Sequence, residues 1–524
     1  MKIFNGFVAS TIILASLTGL SEVTIINQVH ADSLDKITKN QDITKISEKK
    51  LLTIKLRKEL NIPYEDGIEK QIQSKDSVLA DIFAEYPQIT LNRVFTSLSS
   101  TQIQSLSTNK KEDHSEIYSN MVNYYNVEVP NHVDTSVLLE KFKKSYIIED
   151  VYANETESEN IVPPELQSTR NVFNPLNNPH FEDQEYLKEA PQGINALYAW
   201  NVKGGDGTGA TFIDLELGWQ LNHEDLLKQN KSKVELMSGI NVGGYAWHGT
   251  SVLGVVSAED NNKGNIGITP NANVKVISII RDNGQKNKAD AILSAVENSK
   301  SGDVLLLELQ EKVRDQDDIR FLPVEIQPEI FDAIRAGTDK GIIIIEAAGN
   351  GNNVNKGNET GNDLDQYIDR NGKQVLNRQS PDFKDSGAIF VGAASSTFPH
   401  TRLFYSNYGS RVDVYGWGEN VGTLGSDPKL RGRKEANKNM DWGEFETNHY
   451  RSNFGGTSSA SSIIAGAAVS LQGIAKAHGK TPYTPDELRK VLSNPETGTE
   501  SKNPAQDKIG VLPDLKAIIN NVNL

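Results

Sequence analysis

The chain has 524 residues, 37% of them hydrophobic, enough for two or more domains with a sizeable core and too apolar for a disordered protein. A formal net charge of −15 argues against a general nucleic-acid binder, whose phosphate contacts need clustered Lys and Arg. The absence of cysteine excludes disulfides, thiolate catalysis, Cys-ligated zinc and iron–sulfur clusters, and leaves packing or oxygen-ligated ions to stabilise the protein outside a cell.

The N-terminus carries Lys2 and then the apolar run Phe7 to Leu17, too short to span a membrane and typical of a secretory signal. Cleavage is expected after Val29-His30-Ala31, making residues 1–31 a signal peptide and the product a secreted, extracellular protein, with cleavage at Ser16 or Gly19, or an uncleaved interfacial anchor, as the alternatives. No later run reaches the roughly 18 apolar residues of a membrane span, so no stable membrane anchor is expected.

From 32 to about 115 the chain is polar, with weak helical periodicity over Lys50 to Leu60 and again over Val78 to Tyr86. The pattern then sharpens: Tyr124 to Pro130 alternates like a strand, Val137 to Phe142 reads as a helix and Ser145 to Tyr152 as a second strand. The compact part of this region is therefore expected at about 115–153, within a leading segment of 32–165. A polar, breaker-rich stretch follows, and 166–180 reads as a linker to a second domain at 181–524.

In that second domain apolar strands alternate with helices. Ala210 to Asp214 is predicted as a strand ending in a carboxylate, and His248-Gly249-Thr250 opens an apolar helix. Val274 to Ile280, Asp303 to Leu307 and Gly341 to Ala347 read as further strands, with helices over Ala289 to Ser299 and Glu329 to Gly337 between them. Continuous apolar runs alternating with helices indicate a parallel sheet covered on both faces, an α/β three-layer domain. Asn453 to Ala468 reads as a buried helix with Ser458 at its mouth, and Thr484-Pro485-Asp486-Glu487 as the capped start of a later helix through Leu492.

Ligands of such sheets gather at the C-terminal ends of strands and the N-termini of the helices that follow. Asp214, His248, Asn350 and Ser458 all fall at such points. Together they supply what acyl transfer needs: Ser458 to attack, His248 to take and return the proton, Asp214 to fix the imidazole, and Asn350 to donate to the oxyanion.

With those residues come Gly209 to Asp214, His223-Glu224-Asp225-Leu226, His248-Gly249-Thr250, Gly267-Ile268-Thr269-Pro270, Ala347-Ala348-Gly349-Asn350, Tyr405 to Gly409 and Gly456 to Ala460. In that order and spacing, from about Phe181 to Leu524, they resemble the subtilisin-like serine peptidases, whose triad also runs Asp, His, Ser along the chain. The resemblance implies a three-layer subtilisin-like domain preceded by a small α/β propeptide domain. It further implies a serine endopeptidase made as a zymogen, acting on peptides and proteins, with its own propeptide as an intramolecular inhibitor. No cofactor is required for such chemistry. The contrasting expectation is a proteolytically silent relative serving as a scaffold or binding protein.

Departures from the family pattern concern the same neighbourhood. Leu215 and Glu216 follow Asp214 where a hydroxyl residue and glycine are usual, so Glu216 either perturbs the Asp214 carboxyl or turns outward to solvent. Ser462 replaces a proline after the nucleophile. Glu308 stands where a small residue is usual in a wall of the substrate cleft; it is expected either to bind a basic side chain preceding the cut or to be a buried structural acid paired with an Arg. The loop Glu259 to Asn265, with Asp225, resembles a region where subtilases bind structural calcium, with a plain surface loop as the alternative.

Overall fold

A computed structural model of the chain describes residues 44–521 apart from 46–49, 109–114, 131, 155–177, 229–230, 316–317, 353–359, 432, 434 and 437–441. The signal peptide expectation, and that of the linker up to residue 177, lie outside the described residues. Leu52, Ile54 and Leu56 are buried at every second position, a strand period, and they form the strand Lys50–Leu56 (β1) rather than the helix suggested by the weak periodicity there. It joins Leu91–Arg93 (β2), Tyr124–Val129 (β3) and Ile148–Asn154 (β4) in an antiparallel sheet of order β2-β3-β1-β4. The helices Ser77–Glu85 (α1) and Thr135–Phe142 (α2) accompany it, each with an aspartate at its N-cap accepting a backbone N–H. The N-terminal sheet therefore begins at residue 50, ahead of the 115–153 expected for its compact part, because β1 lies between β3 and β4.

The larger sheet has nine strands. Thr211–Glu216 (β5), Val234–Ser238 (β6), Asn273–Ser278 (β7), Val304–Leu307 (β8), Ile343–Ala347 (β9), Ile389–Ala394 (β10), Val414–Trp417 (β11), Gly498–Glu500 (β12) and Val511–Pro513 (β13) lie in the order β12-β13-β11-β10-β9-β8-β5-β7-β6. All neighbours are parallel except β12 and β13. Ala246–Ser257 (α3), Lys288–Glu297 (α4), Pro328–Asp339 (α5) and Gly456–Ala477 (α6) pack against this sheet. Strands buried on both faces explain the unbroken apolar runs of the sequence. Helix α6 is long and apolar enough to cross a membrane, yet every residue from Gly456 to Ala475 is buried in the protein core.

The N-terminal sheet rests on α4 and α5 through polar contacts. Asp290 Oδ1 in the first turn of α4 accepts from the backbone N–H groups of Thr96 and Ser97 at 2.5 and 2.6 Å, and the N-cap Asn287 donates to the Val94 carbonyl at 2.6 Å. Tyr118 donates to Glu297 at 2.9 Å and Tyr124 to Asp332 at 3.2 Å, while the Tyr152 hydroxyl meets the Glu329 carboxyl.

Candidate active site

The site forms where β5, β8 and β9 end and α3 and α6 begin. Helix α6 starts from Gly456, whose φ of +89° is left-handed and suits glycine. The tight entry places Ser458 in the first turn, where backbone N–H groups lack intrahelical partners and a developing negative charge is favoured. Asn350 follows β9 through Gly349, also left-handed at φ +90°. The Asn350 Oδ1 accepts from both the backbone N–H and the hydroxyl of Thr457 at 2.9 Å. Its oxygen is thus turned to Thr457 in the helix mouth, and its Nδ2 lies beside Gly456 as a remaining donor.

His248 is the third residue of α3. Its ring is wedged edge-on against Trp247 and Phe454, with centroids 5.2 and 5.6 Å away, and its side chain is 22% exposed. The Nδ1 meets the Glu216 carboxylate in a short contact. Among the described residues Nε2 has no hydrogen bond, including none to Ser458.

This pairing corrects the sequence expectation that Asp214 holds the imidazole. Strand β5 runs two residues beyond Asp214, so Glu216 is the residue level with the strand ends, beside Ser278 of β7. Asp214 lies deeper on the same face, opposite Leu306 of β8. Its Oδ2 accepts from the Trp219 indole N–H at 2.6 Å, and its Oδ1 is buried without a partner. Burial, then the nearby Glu216, push the Asp214 carboxyl well above the ordinary range. Glu216 does not turn to solvent either: it is 5% exposed and faces His248.

Glu308 also departs from expectation. Its side chain is 0% exposed, so it lines no open pocket, and its partners are serines rather than an arginine: Oε1 lies 2.5 Å from Ser462 Oγ and 3.4 Å from Ser461 Oγ. It follows Leu307, the register partner of Leu215, and so stands beside Glu216, its Oε2 3.8 Å from His248 Nδ1. Glu216 and Glu308, noted separately in the sequence, therefore meet at His248, and Ser462 meets Glu308. The Glu216, His248 and Glu308 donor atoms lie within 4.8 Å of one another, a set with the chemistry to ligate a metal, though the imidazole and one carboxylate already satisfy each other.

Asp225, ahead of α3, accepts from the Asn265 N–H at 3.0 Å and from Asn261 Nδ2 at 3.2 Å in the loop after α3, and burial pushes its carboxyl up to about 6. The amide oxygen and the amide nitrogen of Asn265 are both buried without a hydrogen bond. Those two side chains fit an oxygen-liganded cation, whereas Glu259 is occupied by Lys233 at 2.9 Å and Glu224 by Lys263 at 3.2 Å.

A serine in the first turn of a helix, an amide at the same helix mouth and a histidine held by a carboxylate are groups that serine hydrolases use. Residues 109–509 match the pattern of the subtilase family, and the chain belongs to that family of serine peptidases. It is similar to an intracellular serine protease of Paenibacillus polymyxa, 24% identical over 59% of this chain and 80% of that protein. It is also similar to subtilisin DY of Bacillus licheniformis, 25% identical over 53% of this chain and 82% of that protein. With cerevisin of Saccharomyces cerevisiae it shares 23% identity over 71% of this chain and half of that protein. The fold resembles that of fervidolysin from Fervidobacterium pennivorans, with a TM-score of 0.50 at 15% identity over 91% of this chain and 61% of that one.

Proposed function

We propose that the protein is a secreted serine endopeptidase made as a zymogen, in which Ser458, His248 and Glu216 form the catalytic triad. The contact between His248 Nδ1 and the Glu216 carboxylate carries this reading, because it fixes the tautomer that leaves Nε2 free to act as a base. Ser458 Oγ attacks the scissile carbonyl carbon as its proton passes to His248 Nε2. The Asn350 Nδ2 and backbone N–H groups of the α6 mouth receive the negative oxygen. Collapse breaks the C–N bond, and the imidazolium returns the proton to the leaving amine. Water, deprotonated by the same nitrogen, then hydrolyses the acyl-enzyme to free acid and Ser458. Glu216 holds the imidazole through Nδ1 and stabilises the imidazolium.

The zymogen reading is supported by the N-terminal unit, whose sheet is docked on α4 and α5 by the contacts at Asp290, Glu297, Glu329 and Asp332. Strand β4 leads directly into the polar stretch after Asn154, where a cut would release that unit. Secretion is supported by the N-terminal apolar run alone. A structural calcium held by Asp225 and Asn265 would relieve the buried charge and the idle amide oxygen described above, and takes no part in the chemistry. The test is hydrolysis of a peptide library together with labelling by a serine-directed phosphonate. Wild type should cleave and be labelled at Ser458, and Ser458→Ala should lose on the order of 10⁶ in turnover. A wild-type protein that is neither labelled nor active would leave the scaffold reading in its place.

A further inference from the structure

Two chains leave neighbouring parallel strands beside the nucleophile, and one side chain joins them. The chain after β8 passes Glu308 and Leu309 to Gln310, whose Oε1 accepts from the Asn350 backbone N–H at 3.1 Å. Asn350 belongs to the chain after β9, and its own amide oxygen is bonded to Thr457, next to Ser458. The half-buried Gln310 side chain therefore crosses the gap between the ends of β8 and β9.

What enters that gap follows from the triad proposed above, on which this inference rests. A carbon under attack by Ser458 Oγ carries three other groups: the oxygen received by Asn350 and the helix mouth, the leaving nitrogen, and the residue that precedes the cut. The leaving nitrogen takes its proton from His248 and so lies on the side of that ring. In the sheet β8 stands between β5 and β9, and the Glu216–His248 pair lies on the β5 side. The residue before the cut is thus directed to the other side of β8, where its side chain meets Gln310.

The walls of the gap are fixed. A Cβ on Gly349 would lie 2.7 Å from the Phe321 carbonyl oxygen and 2.8 Å from Asn407 Nδ2. That amide donates to the Phe321 and Ala348 carbonyls at 2.8 and 2.7 Å, so the chain after β9 is packed and bonded from behind. Phe321 lies on the strand Asp318–Pro323, which pairs antiparallel with Gln310–Asp315, Gln310 opposite Pro323. Lys288 Nζ donates to the Gln310 carbonyl at 2.9 Å. Gln310 is held at its backbone as well as at its side-chain end.

We propose that Gln310 closes the acyl side of the cleft and makes the enzyme select a small residue, Gly or Ala, before the cut. A larger side chain must displace the Gln310 amide and leave the Asn350 N–H without its acceptor, and a hydrogen or a methyl group need not.

The experiment measures kcat/KM of the purified protein on peptides that differ only in the residue before the cut, Gly, Ala, Leu or Phe, for wild type, Gln310→Gly, Gln310→Ala and Gln310→Glu. Wild type should prefer Ala to Phe by about a hundredfold, and Gln310→Gly should narrow that ratio by about tenfold or more, with Gln310→Ala between them. Gln310→Glu keeps both the bulk and the acceptor and should hold the ratio within about threefold of wild type. A wild type that cleaves after Phe as readily as after Ala overturns the proposal. So does a ratio unmoved in the Gly and Ala variants: a residue that only supports Asn350 would lower turnover on all four peptides alike. A fluorophosphonate with no peptide side chain, applied to the same preparations, reports on Ser458 independently of the gap. Labelling and cleavage without preference would remove this inference and keep the peptidase, whereas absence of both labelling and cleavage would remove the two together.

Discussion

Asp214 and Glu216 share one face of β5, and what surrounds each carboxylate separates their roles. Asp214 is enclosed, bonded to an indole N–H, and driven toward its neutral form by burial and by its neighbour. Glu216 ends the strand, with an extra methylene that carries its oxygen to the imidazole. Glu216→Gln is therefore expected to lower kcat by about 10³ to 10⁴, the scale seen when a triad carboxylate becomes an amide and the imidazole adopts the wrong tautomer. Asp214→Asn keeps an acceptor for Trp219 and should cost less than about tenfold. Steady-state kinetics of the two variants tests the assignment, and the opposite ranking would restore Asp214. The sequence exposed the cluster of departures but not its geometry. The apolar run ending at Ile213 suggested a strand that stopped at Asp214, and the indole that claims this acid lies five residues on, in a turn without periodicity. Likewise the link between Glu308 and Ser462 spans 154 residues, and no local pattern reports it.

At the level of elements, the contact between the N-terminal sheet and α4–α5 is made largely by carboxyls that docking buries. Burial pushes Glu329 up to about 7 and Asp332 up to about 6. An acid whose value is higher docked than free favours docking in its protonated form. That contribution is complete below the free value and is lost as pH rises through the docked one, here between about 4.5 and 7. After cleavage, the N-terminal unit should bind the peptidase unit roughly ten- to a hundredfold more weakly at pH 8 than at pH 5, since an acid that holds its proton tenfold more tightly when docked can weaken docking by up to about tenfold once it ionises. Titration of the separated units by calorimetry measures this, and Glu329→Gln should flatten most of the dependence. A steeper affinity at high pH would contradict the sign. The helices and strands of the peptidase unit were legible because parallel strands buried on both faces are unbroken apolar runs. Strand β1 was not, because Thr53 and two lysines share its seven residues and blur the alternation.

Over the whole molecule, the proposed precursor predicts a mature N-terminus between about Asn154 and Glu189 in wild type, found by mass spectrometry of the secreted protein. The Ser458→Ala precursor should keep its N-terminal unit, and identical processing of both would exclude self-cleavage. Calcium should raise the melting temperature by a few degrees, and Asp225→Asn should abolish that response, since a ligand bound only to the folded state stabilises it by mass action. An unchanged melting curve in the presence of chelator would exclude the ion.

Helix α6 is enclosed from Gly456 to Ala475, and this ties Ser458 to the slowest motion the protein has. A segment with no solvent face cannot open alone, so the amide hydrogens of its middle turns should exchange with solvent only when the entire peptidase unit unfolds. Those of β2 and β3 need only the smaller unit to detach. Two exchange regimes should follow, one that denaturant shifts steeply across α6 and β9 and a faster one confined to residues 50–154. Irreversible loss of activity on heating should then track the first regime alone, so that the lifetime of the enzyme is set by the unfolding barrier of its core and not by mobility around its cleft.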